Sequence, residues 1–203
     1  MEPSAPDARN GEWVKVPSEA LFSAVRKKIK KDAVIAEDLG IIDDGVRELL
    51  KFTGYPGMKI LSFAFNGESC NPYLPELIEK NSVCYTGTHD NDTLKGLIGS
   101  FSDWDYNNFV NGVRKSAEIL FDEKKDTDTR EGLIECVKEL GFACAADTFI
   151  LPFQDVLSKG SDYRINEPGT VKLQNWAVRF DKSDFTKESA TSLKNLALKY
   201  ERI

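Results

Sequence analysis

The feature that most constrains the fold is a series of short apolar segments that alternate with helical patterns along the chain. The segments occupy residues 33–36, 58–65, 83–86 and 148–151. Each has a length typical of a buried strand, and none approaches the roughly 18 apolar residues that a membrane-spanning helix needs. Strands that alternate with helices are typical of βαβ units, so the sequence predicts an α/β fold with a parallel sheet.

Helical patterns surround these segments. Apolar residues recur at helical spacing over residues 18–31, which predicts an amphipathic helix. Asp43 or Asp44 is expected to cap a second helix, and Gly54 is expected to end it. In residues 58–65, large and small side chains alternate, which predicts a strand with two distinct faces. Further helices are predicted over residues 105–121, 129–141 and 184–202.

Polar side chains follow each predicted strand. They are Glu37-Asp38, Asn66, His89-Asp90 and Gln154-Asp155. Ligands bind at the carboxyl ends of the strands in both (β/α)8 barrels and doubly wound sheets, so this pattern fits either fold. The chain contains no GxGxxG and no GxxxxGK[ST] sequence, so no nucleotide-binding fingerprint supports the doubly wound fold.

Composition excludes several classes of function. The 27 Lys and Arg residues against 33 Asp and Glu give a net charge of −6, which argues against nucleic acid as a partner. The N-terminus lacks the apolar stretch of a signal peptide. The four cysteines match no CxxC pattern and are interpreted as reduced thiols of a cytoplasmic protein. With a single histidine and no nucleophile elbow, we expect neither a multi-histidine metal site nor a cofactor.

Two acidic residues at predicted strand ends suggest a reaction. Glycoside chemistry requires paired carboxylates, and Glu37 and Asp90 are expected at the same edge of the sheet. His89 and Asn91 add directional donors and acceptors that suit the vicinal hydroxyls of a sugar. The alternative is structural: acidic residues after strands also cap helices, and residues 86–93 could be an Asx-rich turn that starts a helix at Thr93.

Several motifs together resemble those of the amylomaltase family, the 4-alpha-glucanotransferases of the alpha-amylase clan. The resemblance runs in order from about Asn10 to about Arg179. Its most specific parts are Glu-Asp-Leu-Gly at residues 37–40 and Tyr-Thr-Gly-Thr-His-Asp-Asn-Asp-Thr at residues 85–93. The other matching segments are Pro-Gly-Met-Lys at residues 56–59, Phe-Ala-Phe at 63–65, Asn-Pro-Tyr-Leu-Pro at 71–75 and Asn-Glu-Pro-Gly-Thr at 166–170.

The resemblance implies a (β/α)8 barrel that acts on alpha-1,4-linked glucans by a retaining double displacement. By position, Glu37 matches the general acid/base and Asp90 matches the aspartate that stabilises the transition state. His89 matches a residue that contacts the sugar at the cleavage subsite, and Phe65 and Asn166 match substrate contacts. The chain would then supply strands five to eight, the C-terminal half of the barrel. Residues 13–203 would form this partial catalytic domain, preceded by a flexible arm over residues 1–12.

The sequence also departs from the family pattern. The family's nucleophilic aspartate lies in an Arg-Ile-Asp segment on the fourth strand, and the chain begins after the corresponding point. Arg164-Ile165-Asn166 is no replacement, because it follows the last predicted strand and ends in Asn. The family's Asn-Trp-x-Trp-Arg is Asn-Trp-Ala-Val-Arg at residues 175–179, so one aromatic residue is lost and Trp176 remains.

These departures qualify the expected activity. We expect alpha-1,4-glucans and maltooligosaccharides as ligands, no glucosyl transfer by the isolated chain, and the missing half of the barrel as a possible partner. The expected location is the cytoplasm, or the plastid stroma if the source is a plant. Two other hypotheses remain: a non-catalytic glucan-binding module, and a half-barrel interaction protein with vestigial carboxylates.

Overall fold

The computed structural model describes Ser4, Gly11 and residues 14–40 and 42–203. The predicted arm, residues 1–12, therefore lies outside the described residues except for Ser4 and Gly11. The chain divides into two compact units, Met1–Pro56 and Gly57–Ile203. Among the described residues, no helix combines the length and the apolar character needed to cross a bilayer.

The N-terminal unit contains two helices, α1 (Ser18–Arg26) and α2 (Asp44–Thr53). Helix α1 begins where the sequence predicts but ends at Arg26, earlier than the predicted residue 31. The lysine-rich residues that follow it form a turn. The caps of α2 are confirmed. The Asp43 carboxylate accepts a hydrogen bond from the Val46 N–H at 2.9 Å, and Gly54 ends the helix with a left-handed φ of 64°.

The strand predicted over residues 33–36 is wrong. Lys31–Ala33 form one turn of 3-10 helix, and Ala36 makes a single bridge in which its N–H donates to the Pro56 carbonyl at 2.9 Å. Ile35, expected in a buried position, is 46% exposed. An apolar run signals a strand only where a ladder of hydrogen bonds forms beside it, and within this unit one bridge replaces the ladder.

The C-terminal unit contains the parallel sheet that the sequence predicts. Its strands are β1 (Gly57–Ile60), β2 (Ser82–Tyr85) and β3 (Thr148–Ile150), in the order β1-β2-β3. The helices of this unit are α3 (Leu94–Ser100), α4 (Asp103–Leu120), α5 (Arg130–Ala143), α6 (Phe153–Val156) and α7 (Lys187–Lys199). An α/β fold with a small parallel sheet is thus confirmed.

The first strand of this sheet is shorter than expected. Strand β1 ends at Ile60, and Leu61–Phe63 turn into a 3-10 helix instead of continuing to residue 65. Leu61 and Ala64 lie three residues apart and are both buried in the core. The helical spacing of these two apolar residues overrides the alternating pattern. The Ser62 N–H donates to the Thr86 carbonyl at 3.0 Å, which joins this turn to the end of β2.

The core of the C-terminal unit lies between the sheet and helices α3, α4 and α5. Cys84 of β2 is a fully buried member of this core, and Phe149 of β3 packs against it from the neighbouring strand. Gly141 in α5 lies directly over the Phe149 ring, where a side-chain carbon would meet the ring at 2.2 Å. Close contact between α5 and β3 therefore depends on this glycine.

The C-terminal helix α7 is fixed to α5 by a cluster of charged residues around Glu139. Its carboxylate accepts hydrogen bonds from the Tyr200 hydroxyl at 2.7 Å and from Lys199 at 2.9 Å, and it pairs with Lys125 at 2.7 Å. At the chain end, Arg202 donates from Nε to the carbonyl of Phe142 at 2.9 Å. These contacts place the predicted C-terminal helix against the outside of the core helices.

Candidate functional site

The segment that follows β2 is a turn stabilised by hydrogen bonds from its own side chains. The Asn91 Oδ1 atom accepts hydrogen bonds from the Thr88 N–H at 2.8 Å and from the Thr88 hydroxyl at 2.9 Å. Thr93 then caps α3, since its hydroxyl accepts from the Gly96 N–H at 3.0 Å. Asn91 thus stabilises the turn and Thr93 caps the helix, as the alternative interpretation predicted. His89 and Asp90 occupy the tip of the turn.

His89, Asp90 and Asn166 form a cluster. The Asn166 side-chain amide donates to Asp90 Oδ1 at 2.7 Å, and the Asn166 N–H donates to the His89 carbonyl at 3.0 Å. The His89 Nε2 atom lies 3.4 Å from the same carboxylate oxygen. The side chains of His89 and Asp90 are 49% and 45% exposed, so both can reach a ligand from solvent. The structure thus brings together three of the five predicted site residues.

Arg164 connects the residues of this cluster through hydrogen bonds to their backbone carbonyl groups. Its Nη2 atom donates to the Asp90 carbonyl at 2.7 Å, and its Nε atom donates to the Asn166 carbonyl at 2.8 Å. One planar guanidinium therefore joins the turn after β2 to the segment that follows β3. Sequence reasoning did not assign a role to Arg164. The one indication in the sequence that Arg164 belongs to the site is its position two residues before Asn166.

Trp176 places an aromatic ring beside the cluster. Its ring centroid lies 5.0 Å from that of His89, with the planes tilted by 38°, and the residue is 61% exposed. Trp176 has a left-handed φ of 62°, and its N–H donates to the Ile165 carbonyl at 2.7 Å. A non-glycine residue in this conformation is uncommon and is found where surrounding contacts impose it. The backbone of Trp176 is therefore held in a defined conformation, and its indole ring lies next to His89.

Phe65 lies in the core. It is 3% exposed and packs edge to face on Phe109, with the ring centroids 5.1 Å apart. The exposed ring near the end of β1 is instead Phe63, which is 42% exposed and contacts Tyr73. Asn66 follows in a turn, where its Oδ1 atom accepts from the Asn71 side chain and the Glu68 N–H.

Glu37 belongs to the N-terminal unit. Its side chain is exposed and follows the bridge residue Ala36. The next residue, Asp38, donates its N–H to the Ala36 carbonyl at 3.1 Å, which bends the backbone at this point. The structure thus places the Glu37 side chain at the surface of the N-terminal unit, directly after Ala36.

The cluster offers the chemistry of sugar binding. Asp90 is a carboxylate that accepts hydrogen bonds and opposes positive charge, Asn166 supplies an amide, and the His89 and Trp176 rings supply an aromatic surface. Among the residues that the structure describes, no group of three or more His, Cys, Asp or Glu side chains is arranged to hold a metal ion.

Comparison with known proteins gives consistent matches. A model of the 4-alpha-glucanotransferase family matches residues 2–184. The 4-alpha-glucanotransferase of Clostridium butyricum is 40% identical over 195 residues, which are 96% of this chain and 38% of the relative. The chloroplastic/amyloplastic 4-alpha-glucanotransferase of Arabidopsis thaliana is 38% identical over 193 residues, which are 95% of this chain and 30% of the relative.

A solved structure agrees with these matches. The amylomaltase from Streptococcus agalactiae in complex with acarbose matches 99% of this chain with a TM-score of 0.83 and 30% sequence identity. The chain spans 38% of that amylomaltase and 38% of the Clostridium butyricum relative. The resemblance seen in the sequence motifs is thus confirmed over almost the whole chain. The chain belongs to the 4-alpha-glucanotransferase family.

Proposed function

We propose that the chain carries the acid/base and transition-state-stabilising part of a 4-alpha-glucanotransferase site. In this proposal strands β1, β2 and β3 correspond to strands six to eight of a (β/α)8 barrel, and residues 33–36, which form no strand here, stand at the sequence position of strand five. The observation that supports it best is the cluster of His89, Asp90 and Asn166 at the end of β2. Three of the residues that match substrate or catalytic positions of the family meet there in an exposed, hydrogen-bonded arrangement.

Each charged residue has a distinct role in the proposed reaction. Glu37 donates a proton to the leaving glycosidic oxygen and later takes one from the 4-hydroxyl of the acceptor sugar. Asp90 accepts hydrogen bonds from sugar hydroxyls, and its carboxylate opposes the positive charge that develops at the anomeric carbon. Its bond from Asn166 fixes the direction of the carboxylate before the sugar arrives, so little reorganisation is needed during the reaction.

The proposed sugar contacts differ in how accessible they are. His89 and Asn166 stand beside Asp90 and would contact the sugar at the cleavage position. Phe65 would contact it only after leaving its buried position, since its ring packs on Phe109. Phe63 is the ring near the end of β1 that a sugar can reach without rearrangement.

We propose that the 203-residue chain binds alpha-glucans but does not transfer glucosyl units by itself. A retaining mechanism needs a nucleophile about 5 Å from the acid/base, and no residue here matches the family's Arg-Ile-Asp segment. The chain also spans 38% of the amylomaltase it resembles. The nucleophile and the remaining strands would come from polypeptide outside these residues.

Isothermal titration of the chain with acarbose tests the binding site. We expect saturable binding, a loss of about tenfold or more in affinity for Asp90→Asn, and unchanged affinity for the control Asp103→Asn. Asp103 is an exposed acidic residue in the first turn of α4, so the control makes the same chemical change away from the cluster. No saturable binding by the unmodified chain, or equal affinity in Asp90→Asn, would refute the proposed site.

Incubation with maltotriose tests the proposed need for further polypeptide. The chain alone should leave maltotriose unchanged. A fusion to the part of the Streptococcus agalactiae amylomaltase that this chain does not match should produce glucose and longer maltodextrins. The same fusion with Glu37→Gln should be inactive. Transfer by the chain alone would refute the requirement for further polypeptide, and an inactive but folded fusion would favour the non-catalytic glucan-binding module.

A further inference from the structure

A buried carboxylate next to the cluster has no role in the chemistry described so far. Asp155 lies in the short helix α6, which follows β3, and it is 2% exposed. Its Oδ2 atom accepts a hydrogen bond from the Thr86 hydroxyl at 2.5 Å, and its Oδ1 atom accepts one from the Leu94 N–H at 2.8 Å. Each oxygen therefore has its own donor, and both donors belong to buried residues.

The two donors stand at the two ends of the segment that carries His89 and Asp90. Thr86 directly follows β2, and Leu94 is the first residue of α3. The first N–H groups of a helix lack partners within the helix, so the Leu94 N–H needs an acceptor from elsewhere. A single side chain thus fixes both the exit from the strand and the entry into the helix.

The segment after β3 continues to hold this turn beyond Asp155. The Ser161 hydroxyl donates to Asp92 at 2.7 Å, and Arg164 and Asn166 donate to the backbone of Asp90 and His89. Residues 155–166 therefore run alongside residues 86–94 and contact them at successive positions. Asp155 is the most buried of these contacts, and it is the one that reaches both ends.

The start of this run is itself anchored to α5. Lys138, which is buried, donates from Nζ to the Ser158 hydroxyl at 2.9 Å and to the Val156 carbonyl at 3.4 Å. The same ammonium pairs with Glu135 at 2.7 Å. The backbone just after Asp155 is therefore held against a core helix. This contact restricts the movement of the Asp155 carboxylate relative to the turn that it binds.

The free-energy cost of burying the Asp155 carboxylate argues that its two hydrogen bonds have a structural role. Burial raises the pKa of this carboxyl, while the hydrogen bonds from Thr86 and Leu94 act in the opposite direction. Burying an ionised group is costly unless its hydrogen bonds are complete, and an apolar side chain would fill the same space without that cost. A carboxylate at this position is useful when two separate donors must be held at a fixed distance from each other.

We propose that Asp155 is a positioning residue that fixes the geometry of His89 and Asp90 by bonding to both ends of their turn. This role rests on the proposed glucan site, for which the orientation of Asp90 decides how well it opposes charge on the sugar. Loss of either hydrogen bond lets one end of the turn move, and displacement of a catalytic group by a fraction of an ångström weakens its action.

The single histidine of the chain makes this proposal directly measurable. Because the chain contains one histidine, its ring signals in a proton NMR spectrum belong to His89. The Trp176 ring, 5.0 Å away, shifts those signals in a way that depends on their relative position. The spectrum therefore reports the geometry of the cluster in the full chain, whether or not the chain has any transfer activity.

Four variants of the full chain separate positioning from general stability. Asp155→Leu removes both acceptors, and Thr86→Val replaces one hydroxyl by a methyl group of the same shape. Asp155→Asn is the conservative variant, because its amide can still accept from Leu94 and donate to Thr86. Ser82→Ala is the matched control: its buried hydroxyl donates to the Glu79 carbonyl at 2.5 Å at the opposite end of β2.

We expect the His89 signals to shift or broaden in Asp155→Leu and Thr86→Val, with acarbose affinity reduced about tenfold or more. Asp155→Asn should restore both, and Ser82→Ala should lower the melting temperature while leaving both unchanged. Unaltered His89 signals in folded Asp155→Leu, or in Thr86→Val if Asp155→Leu does not fold, would overturn the proposal. If the unmodified chain binds no acarbose, the proposed function fails, and the His89 spectra still decide the role of Asp155.

Discussion

The close contact between Gly141 of α5 and Phe149 of β3 leads to a specific prediction for the substitution Gly141→Ala. Gly141 lies inside α5, and a Cβ atom added there would lie 2.2, 2.4 and 2.9 Å from Cζ, Cε2 and Cε1 of Phe149. Phe149 is only partly buried and also packs edge to face on Phe142. The ring can therefore move to relieve the clash, but only by losing some of its present packing.

The expected magnitude follows from two opposing effects. Adding a methyl group to a packed contact costs about 1–3 kcal/mol, whereas replacing Gly by Ala inside a helix contributes about 1 kcal/mol of stability. Gly141 has an ordinary helical backbone without a positive φ, so the second effect applies in full. The net change should be a loss of about 1 kcal/mol in the free energy of unfolding.

A double-mutant cycle with Phe149→Leu isolates the clash. Leucine lacks the three ring atoms that the new Cβ would meet, so Gly141→Ala should be stabilising by about 1 kcal/mol in the Phe149→Leu background. The coupling between the two sites should therefore be about 2 kcal/mol. Urea unfolding followed by circular dichroism gives the four free energies.

A second glycine provides the matched control. Gly99 lies in α3, and its nearest neighbour would be Arg130 Nη1 at an ordinary contact distance of 3.9 Å. Gly99→Ala should therefore stabilise the chain by about 0.5–1 kcal/mol in either background. If Gly141→Ala changes stability equally with Phe and with Leu at position 149, the packing argument is wrong.

Three further predictions concern the helix cap, the acidic cluster and the thiols. Asp43→Ala removes the acceptor for the Val46 N–H and should cost about 1 kcal/mol of local stability, measured as faster amide exchange in α2. Burial would raise the pKa of Glu139, but hydrogen bonds from Lys125, Lys199 and Tyr200 outweigh burial and hold this pKa below the ordinary value of a glutamate side chain. The stabilisation from Glu139 is therefore present above the ordinary pKa of a glutamate and lost as the pH falls through the lowered pKa, so unfolding curves of the unmodified chain and Glu139→Gln should converge in acid. Cys70 is exposed and the other three cysteines are buried, so a thiol reagent should modify one thiol quickly and the other three only on unfolding; a second fast thiol would contradict this burial.

The predictability of the individual elements differs for physical reasons. Strands β2 and β3 and the caps of α2 follow from local sequence, because a short apolar run or a capping aspartate acts on its immediate neighbours. Residues 33–36 show the same kind of apolar run and do not form a strand, because a strand needs a ladder of hydrogen bonds and Ala36 makes only a single bridge to Pro56. Strand β1 stops early because Leu61 and Ala64 pack into the core at helical spacing.

The residues of the candidate site also differ in how far the sequence could predict them, depending on whether they are adjacent along the chain. The sequence by itself determined the family and the contiguous turn with His89 and Asp90, since a motif of adjacent residues needs no knowledge of the fold. Only the tertiary structure decided that Asn166 bonds to Asp90, that Trp176 stands beside His89, and that Asp155 holds the turn. These partners are more than sixty residues apart along the chain, and parallel strand pairing brings the segments after β2 and β3 together. Hydrogen bonds and ring contacts depend on distance in space, which sequence separation does not encode.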